Sequence, residues 1–468
     1  MQPQKCLRRS APKVRTGCRT CKIRRIKCDQ QKPRCKRCTL AKFQCDGYAL
    51  VSLAETALED TKRSKALRFY LRNTRQQLGT FVSDELWEYW IPQIVHAEPC
   101  LRDAVAVLSL CHEDYISGRR SATDRQSTLL LYNRAIEGVR SSRHDVVLIS
   151  LLSCAIFICV EILRGQHKSV IRLLRCGCAF LREAKQSTVV HGNTIIDRDS
   201  LLNHLAAFFI RMSAQISWLF YTPVPMKRAI PDALIPTISP SQMISTKGHF
   251  RSLGQARDAL AYIVLRLVCS SSMPSEPTKF APDVLEALRQ WWVAFEPYRS
   301  RSSRRNAFSN QAGGIALLTL QYHVLAMESA ATYTNGTIVG RWLQSTPETY
   351  REMLSCAETA VQEAKKKSES PGTPIFHTDV GIGPLVFQIL LRCGDPDIRQ
   401  QCVEIMSQCN SQEGVYNGAL AKGLVEKLDA VWDTYEFVVA QPGATEEQME
   451  VTVLNRQREA ILTTVLPL

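Results

Sequence analysis

The chain has 468 residues, 45% hydrophobic and 22% charged, with a formal net charge of +15. That balance is ordinary for folded protein and excludes a wholly disordered or fibrous chain. There are eighteen cysteines, and the first 17 residues lack an apolar core of signal-peptide length; together these point to a reduced, intracellular setting in which regularly spaced cysteines hold metal rather than disulfides.

Charge and cysteine are concentrated at the N-terminus. Residues 1–45 hold 15 Lys and Arg against one acid, Asp29, whereas the other 423 residues carry 44 bases and 43 acids. A polyanion-binding surface is therefore expected in one small module, because only clustered charge builds a potential that attracts phosphate at physiological salt. Within it, Cys18, Cys21, Cys28, Cys35, Cys38 and Cys45 spell C-x2-C-x6-C twice, six residues apart. Structural zinc takes four ligands in a tetrahedron. One zinc would leave two thiols idle, while two zincs need eight ligand positions, which six sulfurs supply if two of them bridge. The leading cysteine of each half, Cys18 and Cys35, is the natural bridging pair, with Cys21, Cys28, Cys38 and Cys45 terminal. A single-zinc ribbon on Cys18, Cys21, Cys35 and Cys38 leaves Cys28 and Cys45 without a role. So short a segment cannot bury enough apolar surface to fold alone, and metal has to supply its stability. Cys6, outside the repeat, reads as a free surface thiol.

Cys18 and Cys21, three apart, can face the metals from the first turn of a short helix, with Lys22, Arg24 and Arg25 pointing outward. Arg24 and Arg25 are the candidates for base contacts, since a guanidinium can donate two hydrogen bonds to guanine N7 and O6. Arg15, Arg19, Lys22, Lys27, Lys36 and Arg37 are candidates for phosphate contacts, which fix position without reading sequence.

With every ligand in place, the basic run KIRRIKCD and Lys32-Pro33 before the fourth cysteine, the segment resembles the fungal zinc binuclear cluster family of transcription regulators. The resemblance implies a two-zinc module whose first helix reads a CGG-like triplet in the major groove of double-stranded DNA, with Arg25 as principal reader and Arg24 beside it. It further implies a nuclear, sequence-specific regulator, of RNA polymerase II by family habit, that works with the transcription machinery or co-regulators. Leu50, Leu53, Ala57 and Leu58 give at most two turns of heptad pattern, so homodimer and monomer both stay open.

The fold class expected is thus a small metal-stapled module with two short helices at 10–47, a linker at 48–63, and a large all-α regulatory domain at 64–468. From Ser64 to Lys185, stretches such as FVSDELWEYW and VLISLLSCAIFICVEILRGQ resemble the helical regulatory region of the same family. The uncharged run Val146–Val160 is too short for a bilayer span and reads as a buried helix. Helix-period stripes continue with Ile171, Leu174, Cys178 and Leu181, and with Leu420, Leu424, Leu428, Val431 and Tyr435. Proline-rich stretches at 221–248, 270–282 and 367–374 read as loops between helical blocks. A helix is expected from Asp283 to Tyr298, with Trp291 and Trp292 as packing residues, followed by an exposed loop carrying Arg299, Arg301, Arg304 and Arg305. The tail around Glu446, Glu447, Glu450 and Leu454 reads as an amphipathic helix or an activation segment.

No enzyme signature is complete. His96, Glu98, Pro99 and Cys100 lack the C-x-x-C of a zinc deaminase, so His96 and His112 read as helix-end or core residues. Gly381 and Gly383 lack the third glycine of a dinucleotide fingerprint. Cys176 and Cys178, on different faces of one helix, read as core cysteines.

Overall fold

The computed structural model describes residues 17–45 apart from 19, 22–23, 25, 30, 32–33, 42 and 44. It also describes 62–467 except 119–121, 142–144, 187–196, 220–247, 271–280, 305–310, 331–345, 368–371, 443–447 and the positions 410, 417, 429–430, 432–433, 435–436, 456 and 458.

The cysteine module contains helix α1 (Lys36–Leu40). The body begins with α2, which runs over Lys62–Phe69, widens into a π turn at Tyr70–Thr74 and closes with Arg75–Leu78. Helix α3 opens with a second π turn, Leu86–Trp90, and continues through Ile91–Ala97. The wider turns bring the two helices together: the Tyr70 hydroxyl donates to the Trp87 carbonyl at 2.9 Å, which satisfies a polar group that is fully buried. There follow α4 (Pro99–Ser117), α5 (Ala122–Ser141), α6 (Val146–Leu163), α7 (His167–Gln186) and α8 (Arg198–Leu219). The sequence marks these ends physically. Pro99 sits in the first turn of α4 and Gly118 ends it at φ 62°, while the Asp145 side chain accepts from Leu148 N at the start of α6.

The second half is built from α9 (Leu253–Ser270), α10 (Ala281–Arg304), α11 (Ala312–Ala330), α12 (Pro347–Lys367), α13 (Ile382–Arg392), α14 (Pro396–Gln408) and α15 (Gly418–Leu428). Between them, β1 (Ile375–His377) pairs in parallel with β2 (Ser411–Glu413), which sets His377 opposite Glu413. The strands β3 (Phe437–Pro442), β4 (Gln448–Leu454) and β5 (Ala460–Pro467) form an antiparallel meander.

Two apolar cores result. One gathers α2 to α4 and α6 to α8 around Trp87, Trp90 and Phe208; the other gathers α9 to α14 around Trp291, Phe295 and Met353. Helix α8 serves both, giving Phe208 and Phe209 to the first and Ile210 and Ala214 to the second. A charge network lies at this seam. Arg211 pairs with Asp84, with Asp258 at 2.7 Å and with Asp379 at 3.1 Å. Arg257 pairs with Asp379 at 2.9 Å and with Asp84 at 3.2 Å. Burial alone would raise the Asp84 carboxyl; the guanidiniums of Arg211 and Arg257 outweigh it and hold the group below its ordinary value.

The body is mainly helical, as expected, and Val146–Leu163 is a core helix with every residue from Leu151 to Leu163 buried. His112 is a fully buried core residue, His96 is exposed at the end of α3, and Trp291 packs in the second core with its Nε1–H donating to Ala256 O at 2.8 Å. Three expectations are corrected. Helix α10 runs through Pro297 to Arg304 instead of ending at Tyr298, so Arg299 is helical; its guanidinium lies 4.0 Å over the Trp292 ring. Arg305 lies outside the described residues. Cys176 is exposed, and only Cys178 is in the core. Of the stripe starting at Leu420, α15 carries Leu420, Leu424 and Leu428, and Tyr435 lies outside the described residues. The tail expected to be helical or an activation segment is strand β4, whose alternating Gln448-Met449-Glu450-Val451-Thr452-Val453 has strand period; Glu446 and Glu447 lie outside the described residues.

Candidate metal centre and nucleic-acid interface

The six cysteines of the double repeat fold into one knot. Cys18, Cys21, Cys35 and Cys38 are fully buried, Cys28 is 9% exposed and Cys45 is half-buried. Their sulfurs fall into two groups of four, Cys18, Cys21, Cys28 and Cys35, and Cys18, Cys35, Cys38 and Cys45; within each group all sulfurs lie within 4.8 Å of one another. The two groups share Cys18 and Cys35, whose Sγ atoms are 3.6 Å apart. A tetrahedron with sulfur about 2.3 Å from its centre has edges of about 3.8 Å. The shared edge, and the 3.8 Å between Cys18 and Cys38, are close to that length.

The local backbone explains how the shared sulfurs are held. Cys21 N donates to Cys18 Sγ at 3.3 Å, and Cys38 N donates to Cys35 Sγ at 3.2 Å. Each half thus caps its own first turn with its leading cysteine, which is why the C-x2-C spacing recurs. Burial pushes the Cys18, Cys21 and Cys35 thiols up. A dicationic metal reverses that preference, because the ligand form is the thiolate.

The one acid among the fifteen bases has a structural role that spacing did not reveal. Asp29 accepts from Lys36 N through Oδ2 at 2.9 Å and from Arg37 N through Oδ1 at 3.0 Å. Burial works against the Asp29 anion, but these backbone donors prevail and lower its pKa. The carboxylate thereby ties the loop after Cys28 to the N-terminus of α1. Its isolation amid so many bases was the available signal. Phe43 gave none: it supports Arg24, whose guanidinium lies 3.8 Å over the ring centroid.

The basic residues named from sequence divide accordingly. Lys27, Lys36 and Arg37 are exposed and close to the sulfur knot in the chain, and Arg24 is half-buried against Phe43 rather than fully outward. Arg15, Arg19, Lys22 and Arg25 lie outside the described residues.

Residues 16–52 match the fungal Zn(2)-Cys(6) binuclear cluster domain, a domain that binds two zinc ions. A transcription regulator specific to the aspercryptin biosynthesis cluster of Emericella nidulans is 24% identical, over 49% of this chain and 45% of the relative. White-opaque regulator 2 of Candida albicans is 42% identical over 14% of each chain. Sterol uptake control protein 2 of Candida albicans is 58% identical over 8% of this chain and 5% of the relative. These matches take in less than half of each relative's length. No solved structure matches.

Proposed function

The chain carries a fungal Zn(2)-Cys(6) binuclear cluster domain at residues 16–52, and from it we propose a sequence-specific, DNA-binding regulator of transcription by RNA polymerase II that acts in the nucleus. In this reading residues 10–47 are the DNA reader, 48–63 a linker and 64–468 the helical regulatory region, through which co-regulators or the transcription machinery are met; no catalytic step is assigned to the chain. Cys18 and Cys35 bridge two zinc ions, with Cys21 and Cys28 completing one tetrahedron and Cys38 and Cys45 the other. Zinc supplies cross-links that a segment of this size cannot obtain from apolar burial.

The observation that carries the reading is a sulfur knot divided into two groups of four with a shared pair, flanked by exposed Lys27, Lys36 and Arg37. Six thiolates and two Zn²⁺ leave the centre anionic, so the surrounding bases set the sign of the surface that DNA meets. Arg25, with Arg24 beside it, reads a CGG-like triplet in the major groove, and Arg15, Arg19, Lys22, Lys27, Lys36 and Arg37 hold phosphates. The stacking on Phe43 presents Arg24 from a restricted range of positions, which reduces the entropy it loses on contact.

The test is binding of the full-length protein to CGG-containing and scrambled duplexes across a salt series. A specificity ratio of about 10³ or more supports the reading. Parallel loss of affinity on both duplexes as salt rises would reduce the module to a polyanion binder. Arg25→Ala is expected to cost about 1–3 kcal/mol and to relax base preference; uniform weakening on every duplex would move Arg25 to the phosphate contacts.

A further inference from the structure

The body contains a cavity of about 500 Å³ next to the short β1–β2 pair, within the size range of small-molecule sites. Its walls are apolar where Phe81, Val361, Ile375 and Ile382 contribute; of the polar side chains that line it, Lys365, Thr373, Gln408 and Ser411 are at least partly exposed, whereas Glu413 and His377 are each only 1% exposed. Glu413 accepts from Ser411 Oγ at 2.7 Å and from Gly383 N at 2.8 Å. Among the described residues no Lys or Arg pairs with it. Both ring nitrogens of His377 lack a hydrogen-bond partner. A buried carboxylate without a cation and a buried imidazole with neither nitrogen bonded are each costly to maintain.

The chain makes room for this arrangement. A Cβ on Gly381 would stand 2.3 Å from Glu413 Cδ, and one on Gly383 would stand 3.0 Å from Oε2. The two glycines that fall short of a dinucleotide fingerprint thus form a cradle that admits the carboxylate between backbone segments. Burial raises the Glu413 pKa, and the adjacent His377 opposes that rise. Lys365, the one cation in the lining, is exposed and donates to Gln408 Oε1 at 2.9 Å rather than to Glu413.

We propose that this cavity binds a small primary amine with an apolar body, the ammonium seated against Glu413 and His377 and the body against Phe81, Val361, Ile375 and Ile382. An ammonium offers three donors and a positive charge, so it can serve the carboxylate and an imidazole nitrogen at once. A hydroxyl would bring one donor and no charge. A carboxylate would bring none and would face Glu413. The site lies in the helical body and does not depend on the DNA reading, so either can fail without the other.

The test is calorimetric titration of the full-length protein with octylamine, octanol and octanoate at neutral pH. Octylamine is expected to bind once per chain, about tenfold or more tighter than octanol, with octanoate weakest. Glu413→Gln should erase the preference for the amine while octanol still binds, with circular dichroism reporting an unchanged fold. Ala364→Met fills the cavity from α12 and leaves both polar groups in place, and it should abolish octylamine binding even if the Glu413 variant does not fold. Octanol binding as tightly as octylamine, no binding by octylamine, an amine preference that survives Glu413→Gln, or undiminished octylamine affinity in Ala364→Met would each overturn the proposal.

Discussion

The cysteine module and the helical body solve the same problem by opposite means. In the module the buried side chains with apolar character are the cysteines themselves, and cohesion comes from bonds to metal. In the body, two extensive apolar cores meet along α8, with the paired charges of Arg211, Arg257, Asp84, Asp258 and Asp379 at the seam. Metal cross-links allow a basic surface to exist on a very short chain, whereas a core large enough to stand alone tolerates buried charge at its centre. Perturbations should therefore separate the two regions cleanly.

Metal removal has the largest expected effect. A structural zinc contributes up to about 10–16 kcal/mol to folding, so chelation should abolish duplex binding while the far-ultraviolet helical signal of the body persists. Cysteine variants refine this. Cys18→Ala removes a shared ligand and should lower zinc content below about one per chain, whereas Cys45→Ala breaks one tetrahedron and should leave about one; equal losses from both variants would argue against shared sulfurs. The converse experiment is Arg257→Met. Taking one partner from a buried charge network costs roughly 3–5 kcal/mol, to be read from urea unfolding of the body, with zinc content unchanged.

A third effect is set by pH. His112 is fully buried, with Nε2 facing Gln77 Oε1 and Nδ1 facing Thr74 Oγ1, both at 2.9 Å. Gln77 Oε1 also accepts from Phe376 N, so Nε2 carries the proton and Nδ1 accepts. Burial lowers the His112 pKa from 6.5 to about 4. The unfolded chain therefore binds the additional proton first. The stabilisation is fully present above about pH 6.5 and is lost as pH falls towards 4, a change of about 3 kcal/mol. His112→Gln should flatten this acid limb of body stability without altering DNA affinity at neutral pH. The smallest effect is expected from Asp29→Ala. Loss of its two bonds to the start of α1 should cost about 1 kcal/mol, read as a small decrease in zinc affinity with the body unaffected.

Legibility in the sequence followed the range of the interactions involved. The module was readable because metal ligation fixes residue type and spacing within 28 residues. Apolar periodicity exposed most helices, since 3.6-residue stripes are local too. The seam network was not readable: Arg211 and Asp84 are 127 positions apart and Arg257 and Asp84 are 173 apart. Asp84 in isolation looks like an ordinary cap, a role it also fills by accepting from Leu86 N at 3.0 Å. The same holds for Glu413, whose hydrogen-bond donor Gly383 lies in α13 and whose neighbour His377 lies in β1, each about 30 or more positions away. The C-terminal meander was readable in principle, because Val451 to Leu454 and Ala460 to Pro467 carry the β-branched alternation of strands; the flanking acids drew the reading towards a helix.

The apolar helix α6 imposes an order on synthesis. Its eighteen residues from Val146 to Leu163 contain one charged side chain, Glu161, which Arg164 meets at 2.9 Å. Of the helices packed on it, α4 and α5 are translated beforehand, but α7, its most extensive neighbour, and α8 follow. For the time a ribosome takes to add the residues up to Gln186 and beyond, a greasy rod with much of its flank uncovered is presented to the cell. Chaperone capture during that interval, and aggregation when it is prolonged by slow codons or heat, should concentrate on this segment.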